Sequence, residues 1–197
     1  LSHASIGRGL AGLLMLGVAA CGSAPGSADG ANASGPANTS AEAPPPPPEP
    51  AAPALVLEGA GLRIPGASPP QTVAFDTPKA AAVTALTKAL GRPPTERGAN
   101  EECGGGGLEY VGWKDEITLW FEDGRFAGWS LKGKLKTAEG VGVGSSRAEV
   151  ARLPGFEVEE SSLGTEFRAG GLSGLLGSKA PDAKVTDLWG GATCVFR

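Results

Sequence analysis

Imidazole is almost missing from this chain: its 197 residues include one histidine, His3, and that residue lies in a leader expected to be removed. Its loss excludes Ser-His-Asp and Cys-His nucleophilic chemistry, histidine general bases and histidine-ligated zinc from the mature product. Excess positive charge is lacking as well. There are 17 Lys and Arg against 21 Asp and Glu, a net charge of −4. A nucleic-acid binder needs a concentrated basic surface to displace counterions, so nucleic acid is not an expected partner. The apolar run Gly9–Ala20 is only twelve residues long, and a bilayer-spanning helix needs roughly 20. A transmembrane anchor is therefore not expected.

That short run is still informative. Arg8 gives it a positive flank, and it ends in Val18-Ala19-Ala20-Cys21. The order of charge, apolar stretch and small residues before a cysteine resembles the lipobox of bacterial lipoproteins. The resemblance implies that residues 1–20 are a signal peptide and that Cys21 becomes the first mature residue. Its thiol would carry a diacylglyceryl group, usually with an N-acyl chain. At about 0.8 kcal/mol per buried CH₂, two or three acyl chains make a lasting anchor, so the membrane is the expected partner of Cys21. Gly22 stands where Gram-negative sorting rules would place an Asp for inner-membrane retention. By that resemblance the protein faces the periplasm from the outer membrane.

Residues 21–53 hold the lipidated Cys and an Ala- and Pro-rich tether with no aromatic residue, no basic residue and no aliphatic residue larger than Ala. Such a segment cannot bury enough apolar surface to offset its ordering entropy, and it is expected to be disordered. Pro44–Pro48 stiffen its distal part, and at about 3.1 Å per residue the tether could reach on the order of 100 Å.

All four Trp, the Tyr and all six Phe follow residue 54, which places the folded domain at 54–197. The pattern predicts a helix over 78–90. Thr77 suits its N-cap, Pro78 its first position and Gly91 its exit, while Val83, Leu86 and Leu90 share one face. A second, shorter helix opens at Ser145 or Ser146. There Ser146 and Glu149 have capping-box spacing, and Leu153-Pro154-Gly155 ends the helix. Strands are predicted at Leu108–Trp113, Ile117–Phe121 and Arg125–Leu131, the last two joined at Asp123-Gly124. Further strands are expected near Phe156–Glu160, Thr165–Ala169, Val185–Trp189 and Thr193–Phe196. A two-residue turn sets Phe121 opposite Phe126 and Glu122 opposite Arg125. Ile117, Leu119, Phe121 and Phe126 then form the core face, with Trp120 and Trp129 together on the other side.

The expected fold is therefore α+β, with two helix-plus-antiparallel-sheet halves, roughly 54–136 and 137–197, in one domain behind a disordered tether. The stretch Gly142-Val143-Gly144-Ser145-Ser146-Arg147-Ala148-Glu149-Val150 resembles the strand-to-helix opening of the small outer-membrane assembly lipoproteins typified by BamE/SmpA. Ala89-Leu90-Gly91-Arg92-Pro93 resembles their helix exit. A tandem of such units resembles the β-lactamase-inhibitory proteins, which implies a concave, aromatic-lined sheet and no catalytic residue.

Once Cys21 is acylated, Cys103 and Cys194 are left, and in an oxidising periplasm such a pair reads as a disulfide. They stand 91 residues apart, a loop whose closure constrains the unfolded chain by up to about 4.5 kcal/mol. Gly104–Gly107 lack the Lys-Ser/Thr of a phosphate loop, and no spacing suits a metal, so no cofactor is expected. Carboxylates cluster at Glu101-Glu102, Asp115-Glu116, Glu122-Asp123 and Glu157/Glu159-Glu160, where solvated charge is the ordinary role. One raised by burial could serve a small cell-wall glycan hydrolase. Trp113, Trp120, Trp129 and Trp189 are the candidate partner-binding residues, because Trp concentrates at binding hot spots. Their more ordinary role is a second core layer between the halves, or a patch covered by the 170–180 segment. The expected function is non-catalytic: a lipid-anchored envelope protein that binds another protein or supports assembly, with a purely structural lipoprotein and the hydrolase as rivals.

Overall fold

The computed structural model describes residues 54–103 and 106–194. The leader, Cys21 and the tether lie outside the described residues, as do Val195 and Phe196 of the last expected strand. No helix among the described residues is long and apolar enough to cross a membrane.

The domain opens with three short strands, β1 (Val56–Glu58), β2 (Gly61–Ile64) and β3 (Gln71–Ala74). Leu57, Leu62 and Val73 lie opposite one another across them and are all buried. Helix α1 (Lys79–Leu90) follows, burying Ala82, Ala85 and Leu86. Next come β4 (Glu96–Asn100), β5 (Leu108–Trp113), β6 (Ile117–Glu122) and β7 (Arg125–Leu131), an antiparallel meander. The two-residue β8 (Lys136–Thr137) returns to pair with β1 in parallel, closing a four-stranded sheet in the order β3-β2-β1-β8. Helix α2 (Arg147–Val150) leads into a second meander of β9 (Glu157–Ser161), β10 (Gly164–Ala169), β11 (Leu172–Leu176) and β12 (Val185–Gly191). β12 pairs antiparallel with β7, so the two meanders join in one eight-stranded sheet, β4-β5-β6-β7-β12-β11-β10-β9.

This corrects the expected α+β class. The described residues are mostly β, built from a four-stranded and an eight-stranded sheet with two short helices, and they are not a pair of balanced helix-plus-sheet halves. The second helix has four residues and contributes one buried side chain, Val150, which is too little to form a layer. The covering layer is supplied instead by the small sheet and α1, whose buried residues share one cluster with Trp113, Leu119, Phe126, Trp129 and Phe167 of the large sheet. Each fully buried Leu or Phe there contributes roughly 1.5–3 kcal/mol, so this cluster dominates the stability of the domain.

The start of α1 differs from expectation in an instructive way. Thr77 does not cap it; the Thr77 hydroxyl donates to Ala74 O (2.7 Å), and Pro78 is the N-cap residue, with no side-chain cap bond. Extended backbone at Thr77 and Pro78 is held against β7: Phe126 N–H donates to Thr77 O, and Lys79 N–H to Gly124 O. The hairpin turn therefore accepts from the first helical N–H, a partner no local pattern reveals. At α2 the expected capping box is present. Ser146 N–H donates to Glu149 Oε2 (2.6 Å), and Glu149 N–H to Ser146 Oγ (3.3 Å). Led by the backbone bond from Ser146, these contacts hold the exposed Glu149 carboxyl below its ordinary range.

Candidate partner-binding face

The two faces of the large sheet have different fates, and the β6–β7 hairpin decides which tryptophan goes where. Asp123 and Gly124 have φ of 48° and 71°, the left-handed pair that a two-residue hairpin turn requires and that Gly adopts without strain. Phe121 faces Phe126 and Glu122 faces Arg125, as the turn dictates. The register then shifts between Trp120 and Phe121, so that Trp120 pairs with Gly128 and Leu119 with Trp129. A one-residue slip moves every following side chain to the opposite face. Trp129 therefore joins Ile117, Leu119 and Phe121 in the core, with no exposed surface, and its Nε1–H donates to Glu58 O in the small sheet (3.1 Å). Trp113 is also core: it is 1% exposed and donates from Nε1 to Arg92 O (3.0 Å). Neither side chain can meet a partner in this fold. This corrects the expected pairing of Trp120 with Trp129, and it removes Trp113 and Trp129 from the candidate site.

Trp120 and Trp189 remain on the face away from α1 and the small sheet. The small sheet, α1 and α2 place their buried residues in the core cluster on the other face. Trp120 is half-buried, donates from Nε1 to Ser130 Oγ (3.0 Å), and lies beside Tyr110 with ring centroids 5.6 Å apart. Trp189 pairs with Ser130 on one side and Ser173 on the other, and is 7% exposed. Between them opens a cleft of about 400 Å³ lined by Trp120, Ser130, Lys132, Leu163, Leu175, Asp187, Trp189 and Cys194. Among the described residues Lys132 and Asp187 have no ion-pair partner, so apolar walls are rimmed by one charge of each sign. Such a mixture suits a protein segment that buries an apolar side chain and sets its orientation by polar contacts at the edge.

The expected disulfide is present: Cys103, in the β4–β5 connection, is bonded to Cys194, just past β12, with Cα atoms 5.1 Å apart. Cys194 also accepts from Asn100 Nδ2 (3.3 Å).

The carboxylate clusters lie mostly at the surface. Glu159 pairs with Arg168 (2.8 Å), Glu160 with Lys179 (3.4 Å) and Glu116 with Arg92 (3.7 Å). Among the described residues the buried carboxylate is one that sequence reasoning passed over. Glu166 on β10 is 1% exposed, with Glu159 and Leu175 as cross-strand neighbours. Its place at the second position of Thr165-Glu166-Phe167, a strand buried on both faces, was the available signal. No group of three or more potential metal ligands occurs among the described residues.

No family model matches the chain, and no curated protein does either. Among solved structures, the chain is similar to the crystal structure of the uncharacterized protein yfeY from Escherichia coli, at 13% identity and a TM-score of 0.41, over 55% of this chain and 86% of that one.

Proposed function

We propose that this is a lipid-anchored protein of the bacterial envelope that binds another protein through the open face of its large sheet. The observation that carries the binding role is the cleft between Trp120 and Trp189, apolar in its walls and charged at its rim, on the face of the large sheet away from the core cluster. Trp120 is half-buried and Trp189 nearly fully buried, and aromatic walls beside small polar groups are what binding hot spots are made of. Anchoring rests on Val18-Ala19-Ala20-Cys21, and the tether after it lets the domain reach away from its membrane. The likeness of Gly142–Val150 to the small outer-membrane assembly lipoproteins agrees with a binding role in the periplasm.

Photo-crosslinking in intact cells tests the binding role. A photoreactive residue at position 120 or 163 should give discrete protein adducts, and one on α1 at Lys88 should not. Metabolic labelling with a palmitate analogue tests the anchor, since incorporation should vanish in Cys21→Ser. Release of sugar fragments from purified cell wall, lost in a single Glu variant, would favour the hydrolase instead.

A further inference from the structure

The end of the chain's described part does not simply leave the sheet. After Trp189 the backbone turns at Gly191, and Ala192 N–H donates to Ala127 O on β7 (2.9 Å). The Ala192 backbone then lies directly on Gly128: a Cβ at position 128 would sit 2.1 Å from Ala192 O. Gly128 is paired with Trp120, and its Cα hydrogen faces the same side as that indole. Two residues later Cys194 is covalently tied to Cys103 and forms part of the cleft lining. Residues 192–194 are thus a strap on the open face, held at Ala192 by one backbone hydrogen bond and at Cys194 by the disulfide and the hydrogen bond from Asn100.

We propose that this strap is a thiol-sensitive wall of the partner cleft, and that Gly128 and the Cys103–Cys194 bond are its positioning residues. The stabilising cluster lies on the opposite face of the sheet, so opening the bond releases the strap while the domain stays folded. Cys103 is buried and Cys194 only half-buried, so Cys194 Sγ is the atom an external dithiol reaches. One thiolate of the dithiol attacks Cys194 Sγ, and the Sγ–Sγ bond breaks with Cys103 leaving as a thiolate. The second thiol of the reagent then displaces Cys194, so two cysteine thiols form and the dithiol is oxidised to its cyclic disulfide. That partner capture follows the redox state rests on the binding role proposed above; the opening of the strap does not.

Acrylamide quenching of tryptophan fluorescence, measured on the full chain before and after dithiothreitol with thiols then blocked, tests the opening. Reduction is expected to raise quenching while cooperative urea unfolding is retained, and the rise should disappear in Trp120→Phe with Trp189→Phe. Gly128→Ala, which displaces the strap without touching the cysteines, should raise quenching in the oxidised protein. Unchanged quenching in a folded, reduced protein would overturn the strap. So would exposure of all four tryptophans together with loss of cooperative unfolding, because the disulfide would then be a staple of the whole domain. Altered quenching with no crosslinked adduct in either redox state would leave the strap standing and remove the binding role.

Discussion

The two faces of the eight-stranded sheet are built from the same strands and alternate residue by residue, yet they answer to different demands. Toward α1 and the small sheet, Val111, Trp113, Leu119, Phe121 and Trp129 are buried to 1% exposure or less. Toward the open side stand Tyr110, Thr118, Trp120, Ser130, Ser173 and Leu175, all half-buried. Two tryptophans went to each face. An indole is therefore no guide to function here until its register is known, and one bulge beside Trp120 decides the matter for Trp129.

If the faces differ as described, breaking the core face should cost the most. Trp129→Ala removes a fully buried indole and is expected to destabilise by roughly 3–5 kcal/mol, measured as a lower urea midpoint with the adducts lost only through unfolding. Trp120→Ala should lower stability far less, by about 1 kcal/mol, yet abolish the adducts formed from position 163. Equal losses of stability from the two variants would erase the distinction between the faces.

Between these extremes lies the disulfide. Cys103→Ser with Cys194→Ser relaxes a loop of 91 residues and is expected to lower stability by up to about 4.5 kcal/mol through the unfolded state. Comparing urea midpoints of the variant with those of the reduced wild-type chain checks this, and the two should agree.

How much of this was legible in the sequence depended on whether the controlling interaction was local. The β6–β7 turn, the strand Leu108–Trp113, the Ser146–Glu149 capping box and the cysteine pair could all be read from neighbouring residues or from simple elimination. The bulge could not, because two-residue turn chemistry fixes only the first cross-strand pairs. Strands β1 to β3 are three or four residues long and interrupted by Gly59, Gly61 and Gly66, which hides their alternation. β4 is almost entirely exposed and carries no apolar stripe. β11, Leu172–Leu176, is absent from the expected strands because Gly174, which makes room for the Phe167 ring on β10, interrupts its apolar pattern. Of the candidate site, Trp120 and Trp189 were visible as partner-binding candidates. Leu163 and Leu175 join it only through pairings across the second meander, and the strap only through β7 and Cys103.

The smallest expected effect is at α2. The Glu149 carboxyl is held below its ordinary range by hydrogen bonds from Ser146, so its folded-state pKa lies under its unfolded one. Its contribution is therefore complete above the unfolded value and is lost as pH falls through the folded one. Urea midpoints for wild type and Glu149→Gln should differ slightly at neutral pH and converge below pH ~4. A difference that persists into strong acid would assign the effect to packing and not to the capping carboxylate.

Site-specific photo-crosslinking in intact envelopes compares the faces most directly. With the reactive residue placed in turn at Trp120, Leu163 and Leu175 on the open face and at Lys88 and Thr84 on α1, protein adducts are expected only from the first three. Adducts from α1 alone, or none from the open face of a folded, membrane-associated protein, would contradict a partner site on this sheet.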